Sequence, residues 1–155
     1  FANEQEIMSL IDAKRFDELD NKTLHDIFLL RSEVFVVEQE CVYQDIDRKD
    51  LESIHIIGIK KKKIIAYSRI MSLNNEFCSI GRVLVKKEFR NQGIGIKLMK
   101  KSIKEATKEF NNRKIKIAAQ KYLKKFYTNL GFKQSGIWYW LDSIPHINMI
   151  LTRND

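Results

Sequence analysis

The chain has 155 residues, 44% of them hydrophobic and only one a proline, which suits one compact domain over 1–155 with its own core. No apolar run approaches the ~18 residues of a membrane span, and no signal segment or prenylation motif is present, so a soluble, cytoplasmic protein without membrane partners is expected. A formal charge of +8 attracts anions but does not choose among cofactor phosphates, acidic substrates and nucleic acid.

In chain order, Phe1–Ile7 read as a remnant ahead of a native start at Met8. Met8–Phe16 reads as an edge strand, and a helix is predicted from Leu24 to Val37, with Thr23 and Asp26 at capping spacing. Asp45–Glu52 is an acidic loop or short helix. Ile54–Ile59, Ile64–Leu73 and Phe77–Val85 read as successive antiparallel strands, with Asn74-Asn75 at the second turn. The basic run Lys60–Lys63 falls at the first turn. It has no interleaved aromatic residues, so a solvated turn is favoured over a nucleic-acid patch. A helix Gly93–Phe110 places Ile94, Leu98, Met99, Ile103 and Ala106 on one face. Strand Ile115–Ala119 follows, then Leu123, Phe126, Tyr127 and Leu130 at helical spacing with Gly131 as the stop. Tyr139–Leu141 and His146–Leu151 complete the sheet. The strand, helix, strand order from Ile80 to Ala119 predicts two parallel neighbours joined by a right-handed crossover.

The segment between that strand and helix carries the most chemistry. Arg90, Gly93 and Gly95 stand in a short loop: two glycines one residue apart allow a tight turn and close backbone approach, and the helix behind them offers unpaired N–H groups and the positive end of its dipole. A pyrophosphate site fits this arrangement; a plain turn entering a helix fits it as well. Ile96, Lys97 and Leu98 after Gly95 match neither a Walker loop nor a dinucleotide fingerprint. Cys41 and Cys78 lack CxxC spacing and His25, His55 and His146 lack i, i+4 pairing, so free thiols and no metal site are expected.

Arg90-x-x-Gly93-x-Gly95 resembles the acetyl-CoA loop of the GNAT N-acetyltransferases, and Phe126-Tyr127-x-x-x-Gly131-Phe132 resembles their segment beside the cofactor thiol. Val34-Phe-Val-Val-Glu-Gln39 and Ile144-Pro-His-Ile147 are similar to blocks of the ElaA branch. The branch commonly has a glycine where this chain has Arg48, and frequently a glycine where it has Ala118. The resemblance implies an α+β (mixed α/β) single domain: a central, mostly antiparallel sheet with one parallel, splayed strand pair, flanked by helices. It implies acetyl-CoA as co-substrate, held by Val83, Leu84 and Val85 on the strand and by Arg90, Asn91, Gln92, Gly93, Ile94, Gly95, Ile96 and Lys97 in the loop. Tyr127, also at the cofactor, is implied as the acid that protonates the departing thiolate.

Direct transfer to an amine also needs a base, because an alkylammonium titrates near ~10.4 and must lose its proton. Glu38, Asp47, His55 and His146 are the available residues. His146 and Glu38 are preferred, an unperturbed imidazole titrating near ~6.5. Arg82 and Gln120 resemble recurrent residues of the branch, and structural hydrogen bonding explains them equally. Glu38, Asp45, Asp47 and Asp50 could form an acidic pocket for a cationic amine or could simply be solvated. A CoA-binding module without turnover and a basic nucleic-acid-binding protein remain as alternatives, and homodimerisation is left open.

Overall fold

The computed structural model describes residues 11–152, so Met8–Leu10 of the expected edge strand lie outside the described residues. Seven strands form one sheet: β1 (Ile11–Arg15), β2 (Ile54–Lys60), β3 (Lys63–Ser72), β4 (Phe77–Val85), β5 (Lys114–Gln120), β6 (Lys133–Leu141) and β7 (Ile144–Leu151). Their order is β1-β2-β3-β4-β5-β7-β6, and every neighbouring pair is antiparallel except β4 and β5. This is the expected mixed sheet with one parallel pair, joined by helix α2 (Ile94–Glu109).

Alternation decides the layers, since successive strand side chains point to opposite faces. Ile56, Ile70, Cys78, Ile80, Ile115 and Ile117 pack with Leu98, Met99 and Ala106 of α2 and with Tyr127 of the short helix α3 (Lys124–Asn129). On the opposite face Ile57, Tyr67 and Leu84 pack with Ile27 and Leu30 of α1 (Asn21–Arg31) and with Val34. Ser68 Oγ meets Ser102 Oγ at 2.7 Å inside the α2 layer, so both buried hydroxyls are partnered.

Several expectations need correction. The cap of α1 is Asp20, which accepts from Thr23 N–H at 2.7 Å, rather than Thr23 itself. The helix predicted to run unbroken to Val37 ends at Arg31 and continues as a π-helix, Ser32–Glu38. Lys61 and Lys62 have φ of 51° and 65°, the paired left-handed residues of a tight hairpin, and both are exposed. Strand β6 begins at Lys133 instead of Tyr139; it is the sheet edge, and almost all of it is exposed.

Candidate active site

Parallel pairing of β4 with β5 covers only Phe77↔Lys114, Cys78↔Ile115 and Ser79↔Lys116. Beyond Ser79 the two strands separate, because β5 goes on pairing with β7 up to Gln120↔His146 while β4 follows β3 to Val85. Lys86 N–H donates to Ile65 O at 2.7 Å across β3. Backbone groups alternate along a strand, so those of Leu84 also face β3, and those of Val83 and Val85 face the gap. Leu84, expected to bind cofactor, thus turns its backbone to β3 and its side chain to the α1 layer.

The loop below the gap is built as the glycine spacing requires. Gly93 is the N-cap of α2 with φ 79°, and no side chain caps the helix. The first N–H groups of a helix have no partner inside it, so those of Ile94, Gly95 and Ile96 are available at the positive end of the dipole. A Cβ on Gly95 would stand 3.6 Å from Phe126 and 3.8 Å from Val85 Cγ2, ordinary contact distances, so this position has room for alanine. Asn91 shares the left-handed conformation, with φ 63°. Gln92 Nε2 lies 3.5 Å from Glu88 O; Ile94 is buried, Ile96 exposed, and Lys97 N–H bonds back to Gly93 O at 3.2 Å.

Arg90 does not extend freely into the loop. Its Nε donates to Val85 O at 2.8 Å, and its Nη1 and Nη2 donate to both oxygens of Glu38 at 2.6 and 2.9 Å. The Arg90 hydrogen bonds hold the Glu38 carboxyl below the usual carboxylate range. Glu38 therefore lies at the site as an ion-paired anion with both oxygens occupied, and is a weak proton acceptor.

Tyr127 is 6% exposed and sits edge-on between Phe126 and Phe132, with centroids at 5.0 and 5.9 Å. Its hydroxyl has no hydrogen-bond partner among the described residues. Burial, with Tyr122 nearby, pushes the phenol up, so it stays protonated. Gly131, with φ 102°, ends α3 and sends Phe132 N–H back to Tyr127 O at 3.1 Å, which fixes the backbone that carries the phenol.

His146 lies across from Gln120 on β7, is 8% exposed and stacks on Tyr139 at 6.3 Å. Its Nδ1 is 2.8 Å from Ile144 O, an acceptor, so Nδ1 donates there and the neutral tautomer of this ring is the one with its lone pair on Nε2. No protein group among the described residues bonds Nε2. Gln120 Nε2 reaches Gln39 Oε1 at 3.3 Å, linking the end of the π-helix to the gap. Cys41 Sγ donates to Asp142 O at 3.0 Å, tying the following loop to the β6–β7 turn.

The other two proposed bases are committed elsewhere. His55 is fully buried, with Nδ1 2.5 Å from Tyr67 Oη and Nε2 2.9 Å from Asp50 O. Asp47 is gripped by Arg69 Nη1 and Nη2 at 2.6 and 3.1 Å. Nor do Asp45, Asp47 and Asp50 form an acidic pocket. Arg31, with no exposure, contacts Asp45 Oδ2 at 3.0 Å and Asp50 Oδ1 at 2.7 Å, and Arg69 Nη1 meets Asp50 Oδ1 at 3.0 Å. Arg82 approaches Asp45 Oδ1 at 2.9 Å and Asp47 Oδ2 at 3.6 Å. Arg31, Arg69 and Arg82 thus neutralise the three aspartates. Burial raises the Asp50 carboxyl, and the hydrogen bonds and charges of Arg31 and Arg69 more than reverse this. The acidic residues were legible in the sequence, but their partners lie up to 37 positions away and carry no local signal.

Among the described residues no group of three or more His, Cys, Asp or Glu could hold a metal, and no helix is long and apolar enough to cross a membrane.

The family model for the acetyltransferase (GNAT) domain matches residues 14–153. A UPF0039 protein of Schizosaccharomyces pombe is 39% identical over 140 residues, covering 89% of this chain and 93% of its own. Protein ElaA of Escherichia coli is 38% identical over 136 residues, covering 85% of this chain and 89% of its own. The ElaA crystal structure superposes with a TM-score of 0.87 over 92% of this chain and 98% of that one. An acyl-CoA N-acyltransferase from Pseudomonas aeruginosa gives the same TM-score and coverage at 32% identity. The splayed parallel pair, the uncapped glycine loop and these likenesses run through one and the same chain, which belongs to the GNAT acetyltransferase family, in its ElaA-like branch.

Proposed function

We propose that the protein transfers an acetyl group from acetyl-CoA directly to a primary amine of a small molecule or peptide. The observation that carries this reading is the combination of the uncapped first turn of α2 behind Gly93, the backbone N–H groups of Val83 and Val85 on the β4 edge that β5 leaves, and the Tyr127 hydroxyl, which has no hydrogen-bond partner among the described residues. The α2 amides suit a pyrophosphate, and the open edge of β4 suits the amides of a pantetheine arm, which would take the place β5 vacates. The P. aeruginosa relative bears the name acyl-CoA N-acyltransferase, which supports the class of co-substrate.

In the proposed step His146 Nε2 takes a proton from the ammonium, directly or through water, and the neutral amine attacks the thioester carbonyl carbon. A strand N–H of Val83 or Val85 donates to the developing oxyanion. The C–S bond breaks as the C–N bond completes, Tyr127 passes its proton to the leaving sulfur, and the second proton shed by the attacking nitrogen returns through water to the Tyr127 phenolate. Glu38 serves by holding Arg90, not by moving protons. Cys41 is not needed as a nucleophile, being turned onto Asp142 O.

Thermal unfolding with acetyl-CoA, CoA and ATP tests the reading. A ligand at about 100 times its Kd adds ~2.7 kcal/mol, a rise of several degrees for a domain of this size. Stabilisation by the first two alone is expected, followed by amine-dependent thiol release. Equal response to ATP, or to none, would overturn cofactor binding; binding without amine-dependent release would overturn turnover.

A further inference from the structure

We infer that Arg82, clamped by Asp45, Asp47 and Tyr43, is a positioning residue: it fixes a bulge in β4 and thereby aims the backbone of Val83 and Val85 into the gap. The inference rests on the acetyl-CoA reading and assigns part of that site to residues outside it.

The register of β4 against β3 changes between Tyr67↔Leu84 and Arg69↔Gly81, so Arg82 and Val83 stand opposite the single residue Ser68. One extra residue bends a strand and increases its twist. The bend lies just beyond Ser79, the last β4 residue to pair with β5, and just ahead of the residues that face the gap.

Arg82 adopts φ 51°, the left-handed region that favours glycine. For an arginine this conformation is unfavourable and persists only where the surroundings impose it. Here the side chain supplies the constraint. Arg82 Nη2 donates to Asp45 O at 3.0 Å, its Nε lies against Asp45 Oδ1 as a charge contact without an aligned N–H, and its guanidinium covers the Tyr43 ring at 5.4 Å. Tyr43 Oη bonds the same Asp45 carboxylate. The loop is itself immobilised, because Asp45 is held by Arg31 of α1 and Asp47 by Arg69 of β3. A rigid path therefore runs from α1 through the loop to the one strained residue of β4.

Arg82→Gly separates the clamp from the conformation, since glycine accepts φ 51° without strain while losing every side-chain contact. Calorimetric Kd values are measured for acetyl-CoA and for adenosine 3′-phosphate 5′-diphosphate, which has the nucleotide and diphosphate but no pantetheine. Arg82→Gly is expected to weaken acetyl-CoA by about tenfold or more, the scale of one or two backbone hydrogen bonds, and to leave the nucleotide unchanged. Arg82→Lys should recover part of the loss. Wild-type affinity for acetyl-CoA in Arg82→Gly, or an equal loss for both ligands, would overturn the inference. Should Arg82→Gly not fold, Tyr43→Leu is read by the same two ligands and criteria. Wild-type protein that binds neither ligand would sink the acetyl-CoA reading itself, and the inference with it.

Discussion

Tyr127 owes its place to two demands that coincide: its ring fills the α2 layer beside Phe126 and Phe132, while its hydroxyl has no hydrogen-bond partner among the described residues. Tyr127→Phe keeps the ring and strands no buried donor or acceptor, so its melting temperature should stay within about a degree of wild type. Its kcat should fall by about 10²-fold with acetyl-CoA affinity intact; unchanged turnover in a thiol-release assay removes the phenol from the mechanism. Glu38 makes the opposite prediction. Its carboxylate straddles the Arg90 guanidinium, so Glu38→Gln should raise the KM for acetyl-CoA several-fold and leave the pH profile of kcat in place. Loss of the acid-side limb of that profile would return Glu38 to the role of base. Sequence alone pointed to Glu38 and could not distinguish these roles, because the deciding partner lies 52 positions away.

At the scale of elements, Gly93 and Gly95 look alike in sequence and differ in what they require. Gly93 needs a left-handed conformation, whereas Gly95 needs only space, and a methyl group would fit there. Gly93→Ala should cost about 1–2 kcal/mol and weaken acetyl-CoA, whereas Gly95→Ala should leave the denaturation midpoint near wild type. Equal midpoints for the two variants would refute the distinction. The elements best read from sequence were β2 and β3, buried on both faces and written as near-continuous apolar runs, and α2, whose single buried stripe shows as helical periodicity. Strand β6 was read short because Lys133–Trp138 is exposed throughout and has no buried face to impose alternation. The break of α1 into a π-helix at Ser32 had no signal either: Ser32–Glu38 contains neither glycine nor proline.

At the scale of the molecule, the buried charge cluster joins α1, the Tyr43–Asp50 loop, β3 and β4. Removing one member leaves its partner charged and buried, so Asp50→Asn should destabilise by about 3–5 kcal/mol, measurable by urea unfolding. The cluster and its neighbour His55 also set the acid response. Burial lowers the His55 pKa, so below about pH 6.5 the unfolded chain takes up a proton that the folded chain refuses, and stability begins to fall there. Asp47 and Asp50 are lowered as well; their contribution is complete above the ordinary carboxylate range near ~3.9 and is lost as pH falls through their folded values. Melting temperature should therefore decline in two stages between pH 8 and 3, and His55→Gln should abolish the upper one. A single transition near pH 4 in wild type would show that His55 contributes nothing.

The missing side-chain cap on α2 gives the helix an unfinished end. Its leading amides, Ile94 to Ile96, have no internal acceptor, and Gly93 brings none. Whatever anion settles there becomes the helix's final hydrogen-bond acceptor, so the folded chain and its ligand share one set of bonds. On the proposed acetyl-CoA reading these amides would be a built-in gauge of occupancy: their protons should exchange with solvent deuterium quickly in the free protein and slowly in the bound one.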